Sequence, residues 1–143
     1  MGVRIYVASS WRNTRQFDVV CALRYAGHEV YDFKNPRLGD RGFSWSEIDP
    51  HWRDWSPGAF RAALKHPIAL RGFNSDMHAL GNTEAVVLVL PCGRSAHLEL
   101  GWAVAADRRT FVLMEEPSEP ELMYRMVEQV CISMDELQKE LAA

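Results

Sequence analysis

The sequence predicts an α/β fold, a doubly wound five-stranded parallel sheet of order 2-1-3-4-5, and three observations carry the prediction. Short Val-, Ile- and Leu-rich runs alternate with stretches of helical spacing along the chain, the pattern of βαβ units with right-handed crossovers. The run Ala85-Val86-Val87-Leu88-Val89-Leu90 is apolar throughout, as suits a strand buried on both faces. It ends at Pro91 and Gly93 and a helical pattern opens at once, which places a turn at the carboxyl end of a strand, where open α/β sheets bind their ligands.

Taken in order, Val3–Ala8 reads as strand 1, closed by the polar pair Ser9-Ser10. Thr14–Ala26 reads as helix 1, with Phe17, Val20, Cys21 and Arg24 at helical spacing and Gly27 placed for a left-handed cap. His28–Phe33 is strand 2. Residues 35–57 show no clear period and carry Trp45, Trp52 and Trp55; a stretch this long inside a small domain is a lid, a binding loop or disordered. Ala59–His66 and Ile68–Leu80 read as helices separated at Pro67. Strand 3 (85–90), a helix (95–106), strand 4 (110–114), a helix (119–128) and strand 5 (130–132) follow. Ser133-Met134-Asp135-Glu136 is a capping box opening a last short helix. The strand order brings the Ser9–Arg12 turn beside the Gly93–Glu99 turn, within one domain spanning residues 1–143.

With 143 residues the chain can bury about two thirds of its unfolded surface. Its net charge of −3 draws it toward neither nucleic acid polymers nor an anionic membrane, so neither is an expected partner. The first residues are too short and polar-flanked for a secretory signal, and no apolar run is long enough to span a bilayer. Three widely spaced cysteines, Cys21, Cys92 and Cys131, fit reduced thiols in a cytoplasmic protein better than a disulfide framework or a zinc site. No cofactor and no metal is expected.

The turn after strand 1, Ser9-Ser10-Trp11-Arg12-Asn13, lacks the glycines that a dinucleotide fingerprint needs, and a Walker pattern is also missing. Its two hydroxyls and guanidinium at a helix start can hold a phosphate or ribose, or simply cap the helix beside a surface arginine. Cys92-Gly93-Arg94-Ser95 is not a phosphatase loop, because the position six residues after the cysteine is Leu98 rather than arginine. Cys92 reads as a half-buried filler.

Glu99 is the stronger chemical candidate. With Ser95 as the cap, it lies in the first turn, where the helix dipole favours the ionised form that a carboxylate nucleophile requires. Leu98, Gly101, Trp102 and Ala105 would then face the sheet. An acid here can also merely complement the dipole, and His97 can be a surface or capping residue. A second carboxylate, Asp76, lies in Asn74-Ser75-Asp76, and two carboxylates flanking one site can divide the labour of glycosidic cleavage. Glu47 and Asp49 are weaker candidates for recognising a base.

Ile5-Tyr6-Val7-Ala8-Ser9-Ser10-Trp11-Arg12, Asn74-Ser75-Asp76 and Gly93-Arg94-Ser95-Ala96-His97-Leu98-Glu99-Leu100-Gly101-Trp102-Ala103 resemble, in order and context, motifs of the nucleoside 2-deoxyribosyltransferase superfamily. The resemblance covers most of residues 3 to 115. It implies a flavodoxin-like fold and attack by Glu99 on C1′ of a nucleoside or nucleotide, with the sugar passed to water or another base. Asp76 would assist protonation of the departing base, and Tyr6 would orient the nucleophile. Ser10 and Arg12 resemble the strand-1 turn that meets the 5′-phosphate in the superfamily's nucleoside monophosphate hydrolases. Ser95 to Glu99 resembles a Gly-Thr-His-x-Glu run of its cytidylate hydrolases.

The transferases usually carry an Asp six residues before the glutamate, where Gly93 stands here. Arg12 and Arg94 favour a phosphorylated substrate and hydrolysis. Completion of the site by a neighbouring subunit is also implied, hence a homodimer or higher homo-oligomer. Trp45 and its neighbours would serve that interface, stack on a base or fill the core. A non-catalytic nucleotide-sensing module and an NAD-type glycohydrolase are the alternative readings.

Overall fold

The computed structural model describes residues 2–143. Five parallel strands, β1 (Arg4–Ala8), β2 (Glu29–Asp32), β3 (Ala85–Val89), β4 (Arg109–Leu113) and β5 (Gln129–Cys131), form one sheet of order β2-β1-β3-β4-β5. The expected order and the parallel pairing are thus observed. β1 and β3 pair centrally, Tyr6 opposite Val86 and Ala8 opposite Leu88. All five residues of β3 are buried, as its unbroken apolar run requires. The residues up to Asp32 with Asn82–Ala143 make one compact unit and Phe33–Gly81 a second.

In the first unit, helices cover both faces of the sheet. Alternate strand residues (Ile5, Val7, Val87, Val89, Phe111, Leu113) pack against Val19, Val20 and Leu23 of α1 (Gln16–Tyr25) and Leu137 and Leu141 of α5 (Met134–Ala142). The opposite pleat presents Tyr6, Ala8, Val86, Leu88 and Val112, and α4 (Arg94–Ala105) packs on β1, β3 and β4 with Ala96, Leu100 and Ala103 buried.

α1 ends as its glycine predicts. Gly27 adopts φ 97°, its N–H reaches the Arg24 carbonyl at 2.9 Å, and the His28 N–H reaches that of Leu23 at 3.1 Å, a Schellman closure. The buried side of α1 is Gln16, Val19, Val20 and Leu23, whereas Phe17 and Cys21 are exposed. Ser133 caps α5 through the Glu136 N–H at 3.1 Å, and the Glu136 carboxylate accepts from the Ile132 N–H instead of closing the box on Ser133.

The helix expected over 119–128 does not form. Only a short 3₁₀ segment, Leu122–Met126, is present. Pro117 and Pro120 remove N–H donors just before it. Leu122, Met123 and Met126 are 83%, 55% and 50% exposed, so no buried apolar face repays helix nucleation.

The second unit contains α2 (Pro57–Ala63) and α3 (Pro67–Gly81), preceded by 3₁₀ turns at Trp45–Glu47 and Trp52–Asp54. The long aperiodic stretch is therefore structured. Trp45 meets the rings of Phe43, Trp55 and Phe60 at centroid distances of 4.7, 5.6 and 5.8 Å. Gly72 permits this packing, since a Cβ there would fall 2.9 Å from that of Phe43.

Candidate active site

The chain reverses its winding at β1, so the turns leaving β1 and β3 lie side by side at the carboxyl edge of the sheet. Side chains lock those turns together. The Ser9 hydroxyl donates to the Val89 carbonyl at 2.9 Å. The Asn13 amide donates to the carbonyls of Val89 (3.2 Å) and Pro91 (2.9 Å), while its Oδ1 accepts from the N–H groups of Arg15 (2.7 Å) and Gln16 (3.0 Å). One buried side chain thus caps α1 and braces both turns. Sequence reading passed over Asn13, although an Asn just ahead of a helix is itself a capping signal. Ser10 Oγ accepts from the Arg12 N–H at 3.2 Å, and Arg12 is exposed.

α4 begins two residues earlier than a Ser95 cap would give. Gly93 is the N-cap, no side chain caps the helix, and Ser95 lies within the first turn as an exposed residue. Glu99 consequently sits in the second turn, not the first. The stripe on the sheet is Ala96, Leu100 and Ala103, and Leu98, expected to face the strands, is 76% exposed. Glu99 meets β1. There the fully buried Tyr6 donates its hydroxyl hydrogen to Glu99 Oε2. A buried phenol needs an acceptor, and a carboxylate is a strong one. The Tyr6 ring also stacks on Tyr31 of β2, with centroids 5.1 Å apart.

His97 closes the far side of the turn. Its Nδ1 lies 2.7 Å from the Gly93 carbonyl and its Nε2 2.8 Å from the Tyr124 hydroxyl. A carbonyl can only accept, so Nδ1 carries a proton, and in the neutral ring Nε2 accepts from the phenol. Burial, then Cys92 and Glu121, push the Tyr124 hydroxyl above its usual range. Tyr124 stands 27 positions from its partner, in a stretch whose own pattern marked it for nothing. Cys92 lies 3.7 Å from His97 Nδ1. Burial and the Glu99 carboxylate push its thiol up to about 11, the behaviour of a filler rather than a nucleophile. Arg94 is exposed at the opening of α4.

The remaining sequence candidates belong to the second unit. Asp76 is half-buried on α3, and Trp45 is part of the aromatic cluster. Glu47 accepts from the Ser44 N–H at 2.8 Å as a local cap. Asp49 accepts from the His51 N–H at 2.8 Å and from the Trp55 indole at 2.7 Å, which hold its carboxyl below the usual range. Both acids have local structural duties.

Among the described residues no group of three or more His, Cys, Asp or Glu is placed to hold a metal ion, and no helix is long and apolar enough to cross a membrane. What the first unit assembles is an oriented carboxylate, an uncapped helix start and two exposed guanidinium groups along one sheet edge.

No family model and no curated protein sequence matches the chain. Solved structures do. The CMP N-glycosidase BcmB of Clostridium botulinum is 16% identical, covering 98% of this chain and 99% of its own, with a TM-score of 0.54. A 2-deoxyribosyltransferase from Bacillus psychrosaccharolyticus is 17% identical, covering 84% of this chain and 78% of its own, also with a TM-score of 0.54. At such identities the likeness is one of fold: all share the flavodoxin-like arrangement described above.

Proposed function

We propose that the chain is a member of the nucleoside 2-deoxyribosyltransferase superfamily that cleaves the N-glycosidic bond of a nucleoside or nucleoside 5′-monophosphate, with Glu99 as nucleophile. The observation that carries the reading is the Tyr6 hydroxyl held on the Glu99 carboxylate where β1 and β3 end. The names of the two structural neighbours, a CMP N-glycosidase and a 2-deoxyribosyltransferase, support the same class of chemistry.

In the first step a Glu99 oxygen bonds to C1′ as the C1′–N bond breaks, its electron pair leaving with the base. Asp76, assigned by its motif, supplies the proton that the base takes up. In the second step water, or a ring nitrogen of another base, attacks C1′, loses a proton and frees the carboxylate. Tyr6 orients Glu99 for both steps. Ser10, Arg12 and Arg94, with the N–H groups at the uncapped start of α4, receive a 5′-phosphate. His97 shapes this turn through the Gly93 carbonyl.

The test is release of free base, followed by chromatography, from a panel of ribo- and deoxyribonucleosides and their 5′-monophosphates. Glu99→Ala should lower release at least about 10³-fold, as loss of a covalent nucleophile does. A second base that raises the rate identifies a transferase, and indifference to it a hydrolase. Unchanged turnover in Glu99→Ala removes the glutamate from the mechanism. A nucleotide that raises the melting temperature without being consumed identifies a sensing module instead.

A further inference from the structure

Tyr31 belongs to no motif singled out in the sequence, yet its position on β2 draws it into the glutamate site. β2 pairs with β1 so that Tyr31 lies directly beside Tyr6, on the sheet face covered by α4. The two rings stack at 5.1 Å with only 19° between their planes. Tyr6 is fully buried, and its hydroxyl, at the far end of the ring, donates to Glu99 Oε2. A ring anchored on a strand carries its hydroxyl on a long lever, so a tilt of about 10–20° exceeds the roughly 0.5 Å tolerance of a working site. One face of that ring is set by Tyr31. The Tyr6 hydroxyl in turn fixes which oxygen of Glu99 is engaged and how the carboxylate is turned.

We propose that Tyr31 is a positioning residue of the glutamate site: its ring sets the tilt of Tyr6 and so keeps the phenol hydroxyl on the Glu99 carboxylate. The proposal rests on reading Glu99 as the nucleophile, and it assigns Tyr31 no contact with substrate. The proposal assigns the effect to the flat face of the ring, which Tyr31→Phe keeps. A cross-strand aromatic pair also steadies the β1–β2 pairing, so loss of stability alone does not separate positioning from packing. The ionisation of Glu99 does separate them. A hydrogen bond donated to a carboxylate favours its charged form, and losing the bond raises the pH at which the carboxylate titrates.

The experiment uses the full chain labelled with ¹³C at the glutamate carboxyl groups, with the Glu99 signal identified by its loss in Glu99→Gln. The signal is titrated from about pH 3 to 8 in the wild type, Tyr6→Phe, Tyr31→Phe and Tyr31→Ile. The neighbouring Cys92 thiol, pushed up to about 11, stays protonated throughout and adds no charge change. Tyr6→Phe should raise the Glu99 midpoint. Tyr31→Ile, which keeps a strand-favouring side chain but removes the ring, should raise it by at least half as much. Tyr31→Phe should leave it within about 0.1 pH unit of the wild type. In turnover, kcat for base release should fall about 10-fold or more in Tyr31→Ile with KM changed less than about threefold, the scale of a lost supporting contact, and its acid limb should move with the midpoint. Tyr31→Phe should restore both.

A Tyr31→Ile midpoint equal to the wild type, or a Tyr6→Phe midpoint that does not move, overturns the proposal. If Tyr31→Ile does not fold, Tyr31→Val carries the same comparison. The titration needs no substrate. Absence of base release by the wild type would therefore defeat the proposed activity while leaving the midpoints to decide the role of Tyr31.

Discussion

Cys92 and Cys21 show how far side-chain chemistry depends on surroundings. Cys21 is exposed on α1, whereas Cys92 is half-buried with its thiol pushed up to about 11 by burial and the Glu99 charge. Thiolate is the reactive form, so at pH 8 only about 0.1% of Cys92 is competent. Iodoacetamide should label Cys21 first and Cys92 at least about 10-fold more slowly, measured by mass spectrometry of the intact and digested protein. Equal labelling would contradict the environment described. Glu99 was legible in the sequence as a candidate because its neighbours form a local motif and the turn before it follows an unmistakable buried strand. Its precise setting was not. The cap does not say which stripe is buried; the packed sheet decides that, and it takes Ala96, Leu100 and Ala103. Tyr124 and Tyr31 were invisible for a related reason, since their partners are supplied by strand pairing and chain return rather than by adjacent residues.

Among the elements, the β1–α1–β2 unit carries two devices whose effects can be measured. From the β1 turn, the Asn13 side chain hydrogen-bonds the start of α1 and the turn after β3. Replacing it by alanine removes a cap and takes the amide donor from the Pro91 carbonyl, while the Val89 carbonyl keeps the Ser9 hydroxyl. Asn13→Ala should therefore cost about 2–4 kcal/mol in denaturant unfolding. Asn13→Asp keeps the cap but sets a carboxylate against the Val89 and Pro91 carbonyls, so it should recover only part of the loss.

His28 Nδ1 accepts the Val3 N–H at 3.1 Å, tying the start of β1 to β2. Burial holds its imidazole below the usual range. The neutral ring is thus the form the fold favours. Its contribution is complete above the ordinary histidine value of about 6.5 and is lost as the pH falls through the lower folded value. Between pH 7 and pH 5 the wild type should lose stability that His28→Ala does not lose, a difference below about 1 kcal/mol, the worth of one hydrogen bond. Identical pH slopes would remove this role. The strands themselves were legible because a fully buried parallel strand has no polar positions to blur it. The helix expected over 119–128 failed because apolar spacing marks a helix only where something covers its apolar side.

For the whole molecule, the superfamily resemblance implies a site completed by a second subunit. Light scattering should return a multiple of the 16.3 kDa chain mass. A mass of one chain at every concentration would mean that each site is built from a single polypeptide. The order of the strands has a further consequence for how the protein comes into being. Ser9 and Val89, joined by a hydrogen bond, are 80 residues apart, because the chain lays down β2 and the entire Phe33–Gly81 unit before reaching the inner neighbour of β1. On the ribosome, the first strand must therefore wait while some 80 further residues are made, with that flank open. Parallel pairings this distant form slowly and leave adhesive backbone waiting. The nascent chain is most in need of a chaperone in that interval, and a message truncated before Ala85 would leave a product prone to clump.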